Sequence, residues 1–151
     1  MIKECINELK GFAELRKHKI QLDLEDSIIV FIEKEHIHQV ISNLLTNAIK
    51  YTPLGGLISI KAYAENNKAH FSIRDSGIGL TEEEKRKIFQ QFGKIEHFGE
   101  GFNIISEGSG LGLYISKQII NLHSGKIWVE SKGRNKGSTF HFILPIMLDT
   151  N

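Results

Sequence analysis

The chain has 151 residues, 40% hydrophobic and 25% charged, which supplies apolar material for one globular core and too little length for two. Nineteen Lys and Arg stand against eighteen Asp and Glu, a net charge of +1, so no broad basic field points to nucleic acid or an anionic membrane. The one cysteine, Cys5, cannot close an internal disulfide, and no apolar run approaches the roughly 20 residues that span a bilayer. The expectation is a soluble piece in a reduced, cytoplasmic setting, without signal peptide or membrane contact of its own. Because a helical pattern begins directly at Ile2, a fragment of a longer protein is also expected.

Ile2, Ile6, Leu9 and Ala13, flanked by Cys5 and Phe12, recur at steps of three and four and predict an amphipathic helix over 2–17. Strand-like runs follow at 19–24 and 28–32. A second helix is predicted over 35–51, stopping ahead of Pro53, with Gly55 and Gly56 in the turn beyond it. Strands at 57–64 and 68–74 flank Glu65, Asn66 and Asn67, a polar break suited to a hairpin. A glycine-rich stretch covers 93–112, and a third helix is predicted over 111–123, closed by Ser124 and Gly125. Strands at 126–131 and 138–144 make a second hairpin around 133–137, ended by Pro145. Two hairpins exclude an all-parallel sheet. The predicted fold is a two-layer α/β sandwich in one domain over 1–151, its mixed, mostly antiparallel sheet covered on one face by three helices.

The second helix carries more than its core face. His36, Gln39, Asn43, Asn47 and Lys50 form a separate stripe at spacings of three and four. A solvated stripe would favour Glu, Lys and Arg, whereas asparagine is a poor helix former. A carboxamide oxygen can ligate a hard cation such as Mg²⁺, and a lysine one turn further can pair with phosphate. Spacing alone admits both a solvated face and a ligand site.

Asp75-Ser76-Gly77-Ile78-Gly79-Leu80 ends a strand with an acid followed by two glycines. An ordinary Asp-Ser-Gly turn accounts for it; so does an acceptor for an exocyclic amine, with glycines admitting a flat ring. Gly108-Ser109-Gly110-Leu111-Gly112-Leu113 opens a helix with no preceding strand, which rules out a dinucleotide fingerprint, and no GxxxxGK[ST] is present. What remains is a glycine-exposed helix N-terminus, where backbone N–H groups and the helix dipole favour phosphate.

These motifs together resemble the catalytic ATP-binding domain of sensor histidine kinases. Asn43-Leu-Leu-Thr-Asn47-Ala-Ile-Lys50-Tyr51-Thr-Pro53 looks like the N box and Asp75 to Leu80 the G1 box. Ile88 to Phe92 resembles the F box, Gly108 to Leu113 the G2 box, and Gly137-Ser138-Thr139-Phe140 the closing strand. The resemblance spans essentially the whole chain and implies the Bergerat fold that these kinases share with gyrase and Hsp90.

It further implies MgATP as ligand, with Asn47 on Mg²⁺, Asn43 in the metal and phosphate environment, Lys50 on phosphate and Tyr51 on the adenine wall. Asp75 would read the adenine amine with Thr139 supporting it through water. Gly77, Ile78 and Gly79 would line the base, while Gly108, Gly110, Leu111, Gly112 and Leu113 would place amides at the phosphates. Residues 93–107 would form the ATP lid. Gln91 stands where the family often has arginine, and Lys94 is the candidate to supply that charge to the γ-phosphate.

The activity implied is transfer of the γ-phosphoryl to a histidine on a separate dimerisation domain of the same parent protein, upstream of a response regulator. None of the seven histidines here is followed by an acid, as an acceptor histidine would be. Hydrolysing relatives carry a glutamate one turn before the metal asparagine, and Asn43 in that place cannot take a proton. A non-catalytic nucleotide-binding module of the same fold is the alternative. The histidines show no zinc spacing, and Trp128 and Phe140 are expected to be packing residues.

Overall fold

The computed structural model describes residues 1–91 and 110–146. Four helices and five strands follow in the order α1 (Ile2–Leu15), β1 (Lys19–Leu24), α2 (Lys34–Tyr51), β2 (Leu57–Glu65), β3 (Lys68–Asp75), α3 (Glu82–Lys87), α4 (Gly112–Leu122), β4 (Lys126–Glu130) and β5 (Ser138–Pro145). The strands form one open sheet, β1-β2-β3-β5-β4. Only β1 and β2 run parallel, with α2 as the crossover a parallel pair requires; the other pairs are antiparallel. Both expected hairpins are present, and Asn66 and Asn67 turn the first with φ of 51° and 58°, the left-handed conformation that a two-residue turn demands and asparagine tolerates.

The α2 helix lies at the centre of the helical layer, between α1 and α4. Val40, Leu44 and Leu45 are fully buried, and Ile37, Ile41, Ala48 and Ile49 nearly so, which is the apolar arc of its sequence. They meet the inward residues of the sheet: Ile58, Ile60 and Ala62 of β2, Phe71 and Ile73 of β3, and Phe140, Phe142 and Leu144 of β5. Phe71 and Phe142, register partners, stack at 4.8 Å between centroids.

Two expectations need correction. Residues 28–32 are not a strand, although their alternation is real: Ile28, Val30 and Ile32 are partly buried while Ile29 and Phe31 are 80% and 85% exposed. Alternation reports which side chains face the core and says nothing of a hydrogen-bonding partner, and among the described residues no strand pairs with this segment. The short α3 was not expected from periodicity. Its signal is a capping box, in which the Thr81 hydroxyl accepts from the Glu84 N–H and the Glu84 carboxylate accepts from the Thr81 N–H.

Candidate functional site

Where β3 ends, the loop 76–80 turns under the C-terminal half of α2 and lines a small pocket. Asn47 and Tyr51 line it from α2, Asp75 from β3, Ile78, Gly79 and Leu80 from the loop, Ile88 from beyond α3, Leu113 from α4, and Ser138 and Phe140 from β5. Its polar groups are few and its walls apolar, the usual make-up of a small-molecule site.

Asp75 is 5% exposed. Its Oδ1 accepts from the Gly77 N–H at 2.8 Å, and the Ser138 N–H donates to the same carboxylate. Burial outweighs these two donors and pushes the carboxyl up from 3.8 to about 6. At neutral pH it is therefore mostly an acceptor, held in place by two backbone amides in an apolar surround. Burial also pushes the Tyr51 phenol up.

The loop glycines have a packing reason of their own beside the expected approach of a flat ring. A Cβ at Gly77 would overlap the Tyr51 carbonyl oxygen, and Gly79 adopts φ +66° with its α-carbon against the Gly133 carbonyl. Both are small because protein backbone passes them. Of the two, only Gly79 faces the pocket.

The polar stripe of α2 divides along its length. His36 and Gln39 are exposed, whereas Asn43, Asn47 and Lys50 are half-buried. Asn43 Nδ2 donates to the Gly112 carbonyl at 3.2 Å and to Ser116 Oγ at 3.3 Å, while Ser116 Oγ donates to the same carbonyl at 2.8 Å. A carbonyl only accepts, so the NH₂ is the group that meets the Gly112 carbonyl. Asn43 thereby joins α2 to the first turn of α4.

That first turn differs from that of α3. Leu111 at its N-cap makes no side-chain cap, whereas α3 satisfies its own amides through Thr81 and Glu84. The α4 N-terminus begins at Gly112, with Leu111 at its N-cap and Gly110 before it at φ +72°. Gly108, Ser109, Lys94, Phe92 and the expected lid at 93–107 lie outside the described residues.

Thr139 does not stand beside Asp75. It pairs in register with Arg74 and Glu130 on the sheet's other face, because strand residues alternate. Ser138, the register partner of Asp75, takes the place assigned to Thr139. The period of two from Ser138 through Phe140 and Phe142 to Leu144 carried that information. Phe140 is a packing residue as expected, meeting Phe89 edge-on at 6.1 Å, but it also lines the pocket. Trp128 stacks on His141 at 4.9 Å. Among the described residues no cluster of three His, Cys, Asp or Glu could hold a metal ion, and no helix is long and apolar enough to cross a membrane.

Fold and pocket together place the molecule among the open-sheet α/β sandwiches of the histidine kinase ATPase type. The profile of the family described as histidine kinase-, DNA gyrase B-, and HSP90-like ATPase matches residues 32–148. The chain belongs to that family, and its domain is of the histidine kinase catalytic kind. It is 38% identical over 145 residues to the adaptive-response sensory kinase SasA of Nostoc sp. (strain PCC 7120 / SAG 25.82 / UTEX 2576), a match that covers 95% of this chain and 35% of the relative. The nucleotide-free catalytic domain of histidine kinase ThkA superposes with a TM-score of 0.80 at 31% identity, covering 95% of this chain and 90% of that one. The structure of ThkA in complex with the response regulator protein TrrA gives a TM-score of 0.76 at 27% identity, over 99% of this chain and 40% of that one. The chain thus spans about a third of the length of the curated relative it matches.

Proposed function

We propose that this chain is the single catalytic module of a longer sensor kinase: it binds MgATP in the Asp75 pocket and donates the γ-phosphoryl to a histidine on the parent's dimerisation domain. The observation that carries the reading is Asp75 itself, a buried carboxylate fixed by the Gly77 and Ser138 amides in a mostly apolar pocket. Such a group selects a ligand edge that donates, as the adenine amine does, and strands any edge that only accepts. Tyr51, Ile78, Gly79, Leu80 and Phe140 supply the walls for a flat base.

For the metal, the donors present are amides. Asn47 lines the pocket, and Asn43, whose NH₂ is spent on the Gly112 carbonyl, carries an amide oxygen beside it. Hard oxygen donors without charge fit Mg²⁺ that arrives with nucleotide, because the phosphates then provide the anionic ligands. Asn47 would hold the ion, with Asn43 beside it, and the ion would neutralise phosphate charge. Lys50, one turn past Asn47, and the amides at the α4 N-terminus serve the phosphates. Phosphoryl transfer asks of the protein mainly positioning and electrostatics, which these groups provide. A water-activating base has no candidate at Asn43, so the acceptor is a nucleophile brought by another domain. A response regulator is the expected downstream partner, by analogy with the ThkA complex.

The test is calorimetric titration with MgATP followed by incubation with radiolabelled ATP, alone and with the parent's dimerisation domain. Label on the acceptor histidine only when that domain is present is the expected result. Tight binding with no transfer would identify a non-catalytic module, and rapid phosphate release by the isolated chain would identify a hydrolase.

A further inference from the structure

The pocket loop is held from behind by the turn between β4 and β5. Its backbone groups are satisfied one after another. The Gly77 carbonyl accepts from the Gly137 N–H at 3.1 Å, the Ile78 N–H donates to the Tyr51 carbonyl at 3.1 Å, and the Ile78 carbonyl accepts from the Asn135 N–H at 2.7 Å. The Leu80 N–H donates to Ser131 Oγ at 2.9 Å, and that hydroxyl donates in turn to the Gly137 carbonyl at 2.7 Å. The Gly79 carbonyl between them accepts from Arg134 Nη1 at 3.2 Å. Arg134 is therefore the charged side chain that grips the loop residue whose backbone lines the pocket.

Its guanidinium is itself locked. Arg134 Nη2 donates to Glu84 Oε1, and the two side chains are only 26% and 14% exposed. Glu84 is in turn fixed by the capping box with Thr81, the residue directly after the pocket loop. Lys85 on the same short helix donates to the Ser131 carbonyl at 3.1 Å. The planar guanidinium fork spans two acceptors at fixed separation, which a lysine ammonium does not.

We infer that Arg134, locked by Glu84, is a positioning residue for the nucleotide's base: through the Gly79 carbonyl it sets the height of the loop that forms one wall of the pocket. It touches neither the base nor the phosphates and acts only through the backbone of Gly79. The inference rests on the proposal that ATP occupies the Asp75 pocket.

The experiment measures ATP affinity by calorimetry and the displacement of ATP by inorganic tripolyphosphate, which carries phosphate charge and no base. Arg134→Ala is expected to weaken ATP about tenfold, the effect of a lost charge-assisted hydrogen bond, while the tripolyphosphate constant stays unchanged. Arg134→Lys keeps one donor and should lie between wild type and Arg134→Ala. Glu84→Gln preserves the cap but loosens the guanidinium, so it should weaken ATP less than Arg134→Ala. The double variant Glu84→Gln with Arg134→Ala should be no weaker than Arg134→Ala alone, since Glu84 acts on the loop through the guanidinium.

Wild-type ATP affinity in Arg134→Ala, an equal loss for tripolyphosphate, or additive effects in the double variant would each overturn the role. If Arg134→Ala does not fold, wild-type affinity in Arg134→Lys overturns it equally. A wild-type protein that binds no ATP refutes the base-pocket reading and this role with it, whereas normal wild-type binding with an unaffected Arg134→Ala refutes the role alone.

Discussion

Replacing Asp75 by asparagine should strengthen the fold and destroy the binding site together. In the folded chain the carboxyl titrates at about 6 rather than 3.8, because burial outweighs the amide donors from Gly77 and Ser138. An acid whose folded value is raised binds its proton more tightly in the native state, so its contribution is fully present below about pH 4 and is lost as pH rises through 6. At pH 7 the ionised, buried Asp75 costs about 3 kcal/mol relative to an unperturbed carboxyl. Asparagine has the same shape, keeps an oxygen for the Gly77 N–H and carries no charge to desolvate. Allowing about 1 kcal/mol for placing its NH₂ in an apolar surround, the nucleotide-free variant should gain about 1–3 kcal/mol at pH 7. A gain of that size raises the melting temperature by roughly 3–10 °C for a domain of this length. At pH 4, where Asp75 is protonated, the gain should vanish and the variant should melt level with or slightly below the wild type. Thermal denaturation of both proteins from pH 4 to 7.5, with and without MgATP, is the assay, and ATP should raise the melting point of the wild type only. Equal melting at pH 7, or a gap that does not change with pH, would refute the account of Asp75 as a buried charge kept for ligand recognition.

Asn47→Ala should retain a folded helix, whose core face is untouched, and lose the magnesium dependence of ATP affinity; Mg²⁺ without nucleotide should give no calorimetric heat even in the wild type. A Mg²⁺ titration unaltered by Asn47→Ala counts against this ligand. Gly79→Ala sets a Cβ against the Gly133 carbonyl at a positive φ and should cost more than about 2 kcal/mol in a urea unfolding experiment, whereas Gly133→Ala, with φ +123° but open space for a Cβ, should cost less. Thr139→Ala should leave ATP affinity unchanged while Ser138→Val, which adds bulk to the pocket lining, should weaken it at least about fivefold; the reverse order would restore the original assignment of Thr139.

Much of the fold was legible in local patterns, for reasons that are themselves local. The apolar arc of α2, the two-residue turn at Asn66 and Asn67 and the alternation along β5 all follow from periods of 3.6 and 2 and from turn chemistry. The motif order located the pocket through Asn47, Tyr51, Asp75, Ile78 and Gly79, which the structure brings together. The same alternation, followed strictly, also separated Ser138 from Thr139. Residues 28–32 mark the limit of such reasoning, since their apolar alternation reflects packing under the helices without a strand to pair with.

What only the tertiary structure decided depends on contacts between distant segments. Gly77 and Gly79 look in sequence like room for a ligand, and only the fold shows that the Tyr51 and Gly133 carbonyls also pass them. Asn43 looks like a ligand alone, yet its NH₂ is spent on Gly112 and Ser116, 69 and 73 residues away. Arg134 and Glu84 look like surface charges; folding sets them 50 residues apart in sequence and in contact behind the pocket loop. Sequence alone determined which faces are apolar and which motifs are present, because period and turn chemistry act over a few residues. The placement of each polar group depended on which backbone atoms the fold brings beside it, because a buried donor or acceptor must find its partner wherever the chain returns.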